Sequence, residues 1–320
     1  MSSRLDTSPP ARSLAKKDAR HGETWTPAQR AKNFLIFLIA RTSLYFAGFA
    51  PRWLLVASGR MLGRLAHLLL ARERRTANQN LARVFPDLDA ATRNQLRKRS
   101  YVHLGEDIGA AVFAMTRGFV PLEIEPEDIC ILQQCVDEGR GTLVVSAHLG
   151  PWEQVGASVV AAGFPLTSIA RESYDPRLTA TYGRLRQRHG IGWIYRGEPG
   201  AMARAMLHLQ GGGLLGVIMD LKTRVPSVSS PFLGNPAPTA IGPARMALRS
   251  GARVVVLTAA PNGLGHLAVS VTPILTGDLS ASAEGELELT NRLNEELSRR
   301  IRALPDRWLW MHPRFDEPPH

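Results

Sequence analysis

Cysteine is almost missing from this chain: two residues, Cys130 and Cys135, in 320. A disulfide-stapled secreted scaffold is excluded. Neither thiol has a ligand cluster around it that would suggest zinc, so a reducing compartment is the simpler setting. No 18 apolar residues follow one another without interruption, which excludes a polytopic membrane protein. A Gly-x-Ser-x-Gly elbow and a His-Glu-x-x-His pair are both missing, so neither a hydrolase serine nor a zinc site is supported. Acidic residues are scarce at one end only. Residues 1–100 hold 19 Lys and Arg against 6 Asp and Glu, and the rest hold 20 against 22, for a net charge of +11. What is present is 44% hydrophobic and 21% charged, an ordinary globular composition with enough length for a sizeable core.

The basicity therefore belongs to the N-terminal region, and nucleic acid or an anionic membrane could be its partner. The apolar content between the charges favours membrane over nucleic acid. Phe34 to Ala40 is nonpolar throughout, and after Arg41 the pattern resumes with Leu44-Tyr45-Phe46 and runs to Pro51. From Trp53 to Leu70, Arg60, Arg64 and His67 recur at helical spacing among Leu54, Leu55, Met61, Leu62, Leu65, Leu68 and Leu69. A wide apolar face with a narrow basic stripe fits a helix at a lipid headgroup boundary; the plainer reading is a core helix with a solvated edge. Residues 34–50 could cross the bilayer once or lie in its surface, and the sequence leaves both open. Residues 1–26 carry no periodicity and read as a disordered tail. The late start of the apolar stretch speaks against a cleavable signal. Positive charge around the first apolar segment places the chain on the cytoplasmic side.

After about residue 120 short apolar runs alternate with helical patterns. Thr142–Ser146, Leu166–Ala170, Ile191–Tyr195, Leu214–Met219, Arg253–Ala259 and His266–Val271 read as strands. Trp152–Ala162, Pro176–His189, Pro199–Gln210, Pro238–Ser250 and Glu286–Leu304 read as helices. The expected fold is α/β, a mixed and mostly parallel sheet flanked by helices. Three regions follow: the tail at 1–26, a helical membrane-associating region at 27–120, and the α/β domain at 121–320.

In such sheets, sites lie at the carboxyl ends of strands. That rule selects His148 after one strand, Arg171 after another and Asp220 after a third. His148 and Glu153 stand five apart, around Gly150-Pro151. Proline favours a helix start, so His148 falls in a loop and Glu153 in the first turn, where the loop could fold the imidazole toward the carboxylate. The unpaired amides of that turn could receive developing negative charge. Such a pair is either a structural hydrogen bond or a base; as a base without a protein nucleophile, it would act on a substrate hydroxyl.

The stretch from His148 to Glu153 resembles the His-x4-Asp/Glu signature of glycerolipid acyltransferases. A wider ordered set resembles the late acyltransferases of lipid A biosynthesis, the lauroyl/myristoyl transferase family. The set comprises Asn80 to Pro86, Ser146 to Glu153, Gly183 to Arg186, the Asp220 strand end, Pro231 to Gly234 with Pro236-Ala237, Gly242, Ala244, and Pro305 to His312. The resemblance implies a glycerol-3-phosphate acyltransferase-like fold and transfer of an acyl chain from a thioester to a membrane-lipid hydroxyl. The implied donor is acyl carrier protein or acyl-CoA, and the acceptor a lipid A precursor or related glycolipid. It implies His148 as general base and Glu153 as its orienting carboxylate. Arg171, Arg184, Arg186 and Asp220 would lie at the substrate, with no metal, no cofactor and no nucleic acid. The implied location is the bacterial inner membrane, with the catalytic part in the cytoplasm. The Pro226–Pro238 segment, with Phe232 and Leu233, either lines the acyl groove, touches lipid, or is a plain connecting loop. Trp308 and Trp310 are packing residues or interface anchors. Two other outcomes share the motif: a homologue that binds lipid or acyl carrier protein without turnover, and a thioester hydrolase.

Overall fold

The computed structural model describes residues 24–222 and 225–315. The tail expected at 1–26 lies, apart from its last three residues, outside them.

Nine strands and ten α-helices are present among these residues. The first four helices are α1 (Pro27–Ala47), α2 (Arg52–Leu69), α3 (Ala71–Val84) and α4 (Ala90–Arg117). Then come β1 (Glu123–Ile124), α5 (Pro126–Asp137), β2 (Thr142–Ser146), α6 (Trp152–Ala161), β3 (Leu166–Ala170), α7 (Pro176–Arg188) and β4 (Gly192–Tyr195). They are followed by α8 (Ala201–Gln210), β5 (Leu214–Ile218), β6 (Ser227–Phe232), β7 (Asn235–Ala240), α9 (Gly242–Ser250), β8 (Arg253–Pro261), β9 (Leu267–Ile274) and α10 (Ala283–Ala303).

Seven strands form one sheet in the order β1-β9-β8-β2-β5-β3-β4. The five strands from β8 to β4 are mutually parallel, and β9 runs antiparallel to β8 with β1 parallel beside it. This is the mixed, mostly parallel sheet that the alternation predicts. Its strands are apolar on both faces because both are covered. Leu143 and Val145 of β2, with Val254 and Val256 of β8, face a core built with α3, α8, α9 and α10. Their alternates Val144, Val255 and Leu257 face a second core with α5 and α6. The period of two thus sorts one strand's side chains between two cores.

Two expected elements differ. The segment from Pro226 to Pro238 is not a loop: it supplies β6 and most of β7, an antiparallel hairpin. Phe232 and Leu233 at its tip are fully buried in the core, so they line no groove and reach no lipid. The helix expected from Pro238 begins at Gly242, because residues up to Ala240 are paired in that hairpin.

In the N-terminal region the amphipathic pattern is turned inside out. The inward stripe of α2 is Gly59, Gly63 and His67, and it meets Gly105 and Gly109 of α4. A Cβ on Gly59 would collide with the Gly105 carbonyl, and one on Gly63 with that of Tyr101. The helices approach so closely because neither has a side chain at the crossing. Trp53, Met61, Leu62, Leu65, Leu68 and Leu69 of α2 consequently face outward, Trp53 at 70% exposure. No single helix among the described residues is long and apolar enough to cross a membrane; α2 and α3 together are, but they meet at an 88° bend.

Candidate active site

β2 and β5 are neighbours, with Ser146 opposite Ile218. The amide of Met219 still donates to the Ser146 carbonyl at 3.3 Å, so the chains leave the sheet side by side. Two residues past each strand stand His148 and Asp220. Asp220 Oδ1 lies 2.9 Å from His148 Nδ1, and Oδ2 accepts the His148 backbone N–H at 2.9 Å. Oδ2 also accepts the Trp308 indole N–H at 2.7 Å. The carboxylate is fully buried, while the imidazole side chain is 25% exposed. With Nδ1 engaged by an acceptor-only carboxylate, that nitrogen carries the proton and Nε2 holds the lone pair. Among the described residues Nε2 makes no hydrogen bond.

The charges stabilise each other. Burial pushes the Asp220 carboxyl up, but the His148 charge and hydrogen bond, with the Trp308 and backbone N–H groups, outweigh it and hold it below the usual carboxylate value. Burial pulls the imidazole down, yet the Asp220 charge and hydrogen bond, aided by the charge of Glu153, leave it above 6.5.

A glycine turn and two contacts fix the loop around His148. Gly150 turns through the left-handed region at φ 61°, which suits a residue without Cβ. Its amide donates to the Arg307 carbonyl at 2.9 Å, and Leu149 bridges to Trp308. The 305–312 segment is therefore the floor of the site. Asn80 of α3 holds that floor in place, donating to the carbonyls of Trp310 and His312 at 2.8 and 2.9 Å. The Trp308 and Trp310 rings pack edge to face at 4.8 Å, both buried, so neither is an interface anchor.

The other expected site residues fall in different places. Glu153 does occupy the first turn of α6, but no hydrogen bond joins it to His148. Its carboxylate accepts from Arg186 Nη2 at 3.1 Å. The imidazole's bonded carboxylate is thus Asp220, 72 residues away, and Glu153 acts on the ring only by its charge. Asp220, expected at the substrate, is fully buried, with its oxygens taken by His148 and Trp308. Arg186 joins the site through Glu153. Arg171 leaves β3, two strands from β2, roughly 10 Å along the sheet edge at normal strand spacing. There it is exposed beside Arg196, whose pKa is lowered by burial and by the Arg171 charge. Arg184 is not at the site: it lines a cleft with Leu44, Met115, Thr116, Thr181 and Arg188. Local spacing could not reveal Trp308 as a partner of Asp220; the sequence marks it only within the Pro305 to His312 stretch, as a packing residue or interface anchor.

Two clefts meet at Trp152, Glu153, Arg186 and Ile191. The Trp152 ring, which lines both clefts, packs edge to face on the His148 ring at 5.0 Å. The larger has about 740 Å³ of empty space open to solvent and is walled by Ile108, Ala111, Phe113 and Phe119. Its one deeply buried carboxylate is Asp107, which burial pushes up to about 7 against the opposing charge of Arg307. Arg307 Nη1 lies 3.4 Å from Asp107. Among the described residues no group of three or more His, Cys, Asp and Glu side chains could hold a metal ion.

A buried acid and an imidazole with a free nitrogen at the carboxyl edge of a parallel sheet, with an apolar cleft nearby, have the form of an α/β enzyme site. The chain matches the family described as bacterial lipid A biosynthesis acyltransferase over residues 27–317, and it belongs to that family. It is an acyltransferase of lipid A biosynthesis. No curated protein matches it closely enough to add to this.

Proposed function

We propose that the enzyme moves a fatty acyl chain from an acyl thioester, carried by acyl carrier protein, to a hydroxyl of a lipid A precursor, with His148 as the general base. The observation that carries this reading is the His148–Asp220 pair. An alcohol has a pKa far above neutral, and a positioned base contributes about 10² to 10⁴ in rate. His148 Nε2 takes the hydroxyl proton as the oxygen attacks the thioester carbonyl. The resulting oxyanion can be met by amides of the first turn of α6, whose N-terminus has no side-chain cap. Collapse breaks the carbon–sulfur bond, and the thiolate leaves with the proton held by the imidazolium. Asp220 stabilises that imidazolium and fixes the tautomer.

The cleft beside Trp152, with its apolar wall of Ile108, Ala111, Phe113 and Phe119, suits the acyl chain. Arg171 and Arg186 would meet anionic groups of the substrates, since guanidinium forks suit phosphate. The outward apolar faces of α1 and α2, with the basic residues among them, support work at a membrane surface, on the cytoplasmic side of the bacterial inner membrane where acyl carrier protein is available. The test is incubation of purified protein with labelled acyl carrier protein and lipid A precursor. Label in the lipid is expected. Label released as free fatty acid, or left on the carrier, contradicts the proposal.

A further inference from the structure

Arginines line the first helix along its length. α7 presents Arg177, Thr181, Arg184 and Arg188 at i, i+4, i+7 and i+11, one helical face. At one end the Arg177 guanidinium lies 4.6 Å from the Phe37 ring centroid and 5.9 Å from that of Phe34, while also paired with Asp175. At the other, Arg184 and Arg188 flank a cleft that Leu44 of α1 helps to line. Arg188 donates to the Met115 carbonyl at 3.0 Å and Arg184 to Thr181 Oγ1 at 3.4 Å; neither meets a carboxylate among the described residues. Beyond them Arg117 donates to the Gly48 carbonyl at the end of α1 at 2.7 Å. The start of α1 is held as well: Trp25 stacks on Tyr174, and Gln29 donates to the Tyr174 hydroxyl at 3.0 Å.

α1 itself touches the body by a thin stripe. Asn33 and Ala47 are buried and Phe37, Ala40 and Leu44 half-buried, while Leu35, Ile39 and Phe46 on the opposite face are 56%, 57% and 65% exposed. A helix of 21 residues is about 31 Å long, close to the roughly 30 Å of a bilayer's hydrocarbon. Were α1 to cross it, the stretch from Phe34 to Leu44 would lie mid-membrane and take Arg177, Arg184 and Arg188 with it. Charged groups there are among the costliest insertions known. With α1 in the membrane plane the same arginines sit at one depth, beside the headgroup phosphates.

We infer that α1 lies in the plane of the membrane surface, its Leu35–Ile39–Phe46 face in the acyl boundary, and that Arg184 and Arg188 bind phosphates of anionic phospholipid headgroups. This rests on the membrane reading above and goes further, by setting orientation and lipid class. It is tested on the full chain with exposed Cys130 replaced by Ser, carrying a nitroxide at Leu35→Cys, Ile39→Cys or Phe46→Cys. Vesicles of equal parts phosphatidylcholine and phosphatidylglycerol are the probe. Equal nitroxide depths at the three sites are expected. A steady gradient of about 16 Å across the eleven-residue interval overturns the orientation while leaving membrane association intact. No binding to these vesicles overturns both. In parallel, Arg184→Ala/Arg188→Ala is expected to weaken partitioning onto these vesicles about thirtyfold, at about one unit charge's attraction per arginine, and to leave pure phosphatidylcholine unaffected. Unchanged partitioning of that variant, with an unchanged thermal melt, removes the phosphate role.

Discussion

At residue scale the proposed chemistry turns on one hydrogen bond between chain-distant groups. His148→Ala is expected to abolish label transfer from acyl carrier protein almost completely while leaving the circular dichroism melt in place. Asp220→Asn keeps the shape of the partner but loses the charge and can present an N–H to Nδ1, which favours the wrong tautomer. A fall of about 10² to 10⁴ in initial rate is expected. A second titrating residue affects stability. Asp107 ionises near 7 in the folded protein, well above the 3.8 of a free aspartate. Keeping the acid protonated favours the fold at low pH. As pH rises from about 4 toward 7, the unfolded chain gains its charge first and wild type loses stability relative to an uncharged variant. Asp107→Asn should therefore raise the melting temperature more at pH 8 than at pH 4, with a ceiling of about 4 kcal/mol. Equal shifts at both pH values would contradict this. His148 was legible because proline and glycine mark its loop. Its partner was legible only as a separate strand end, since nothing in one chain's spacing says that β2 and β5 are neighbours. Glu153 drew attention by proximity in sequence, and a carboxylate far away in sequence holds the ring.

At the scale of elements, strand alternation was the readable part. Six of the nine strands were delimited to within a few residues because buried parallel strands are short, apolar and bounded by glycine. β6 and β7 were not: they carry three prolines and three serines, a composition that reads as loop, and pairing in a two-stranded hairpin tolerates them. α2 was found, but which side faces in was not, because glycines carry no hydrophobic signal. The close crossing of α2 and α4 gives a direct check. Gly59→Leu or Gly105→Leu should lower stability by about 1–3 kcal/mol or more in urea unfolding, since backbone must move to make room. Gly242→Ala, at the start of α9 with open space around it, is the control and should stay within about 0.5 kcal/mol of wild type. Equal effects from both would mean that the helices do not touch as described.

At the scale of the whole molecule, basic charge lies in the N-terminal helices and apolar side chains are uncovered on the same helices. The charge imbalance between the two parts of the chain and the apolar stretches within the basic part are what the proposed membrane reading starts from. Geometry could not be read that way: the arginine row on α7 becomes meaningful only when folding lays it along α1. Acyl carrier protein is acidic, so electrostatic steering should make donor use sensitive to salt. Raising ionic strength from about 0.05 to 0.5 M, which shortens the screening length to a few ångströms, should raise the donor KM several-fold and change kcat little. A KM indifferent to salt would count against charge-guided docking.

The base assignment itself is tested most directly by the pH profile of kcat/KM for acyl transfer, measured for wild type and Asp220→Asn. The reacting imidazole must be neutral, and Asp220 holds its pKa above 6.5 in the folded protein. Wild-type activity should therefore fall on the acid side with a midpoint above 6.5, and in Asp220→Asn that midpoint should move to lower pH. Glu153→Gln, which removes the lesser of the two charges, should move it less. The same midpoint in wild type and Asp220→Asn would show that the group titrating in the rate is not the imidazole of His148 paired with Asp220.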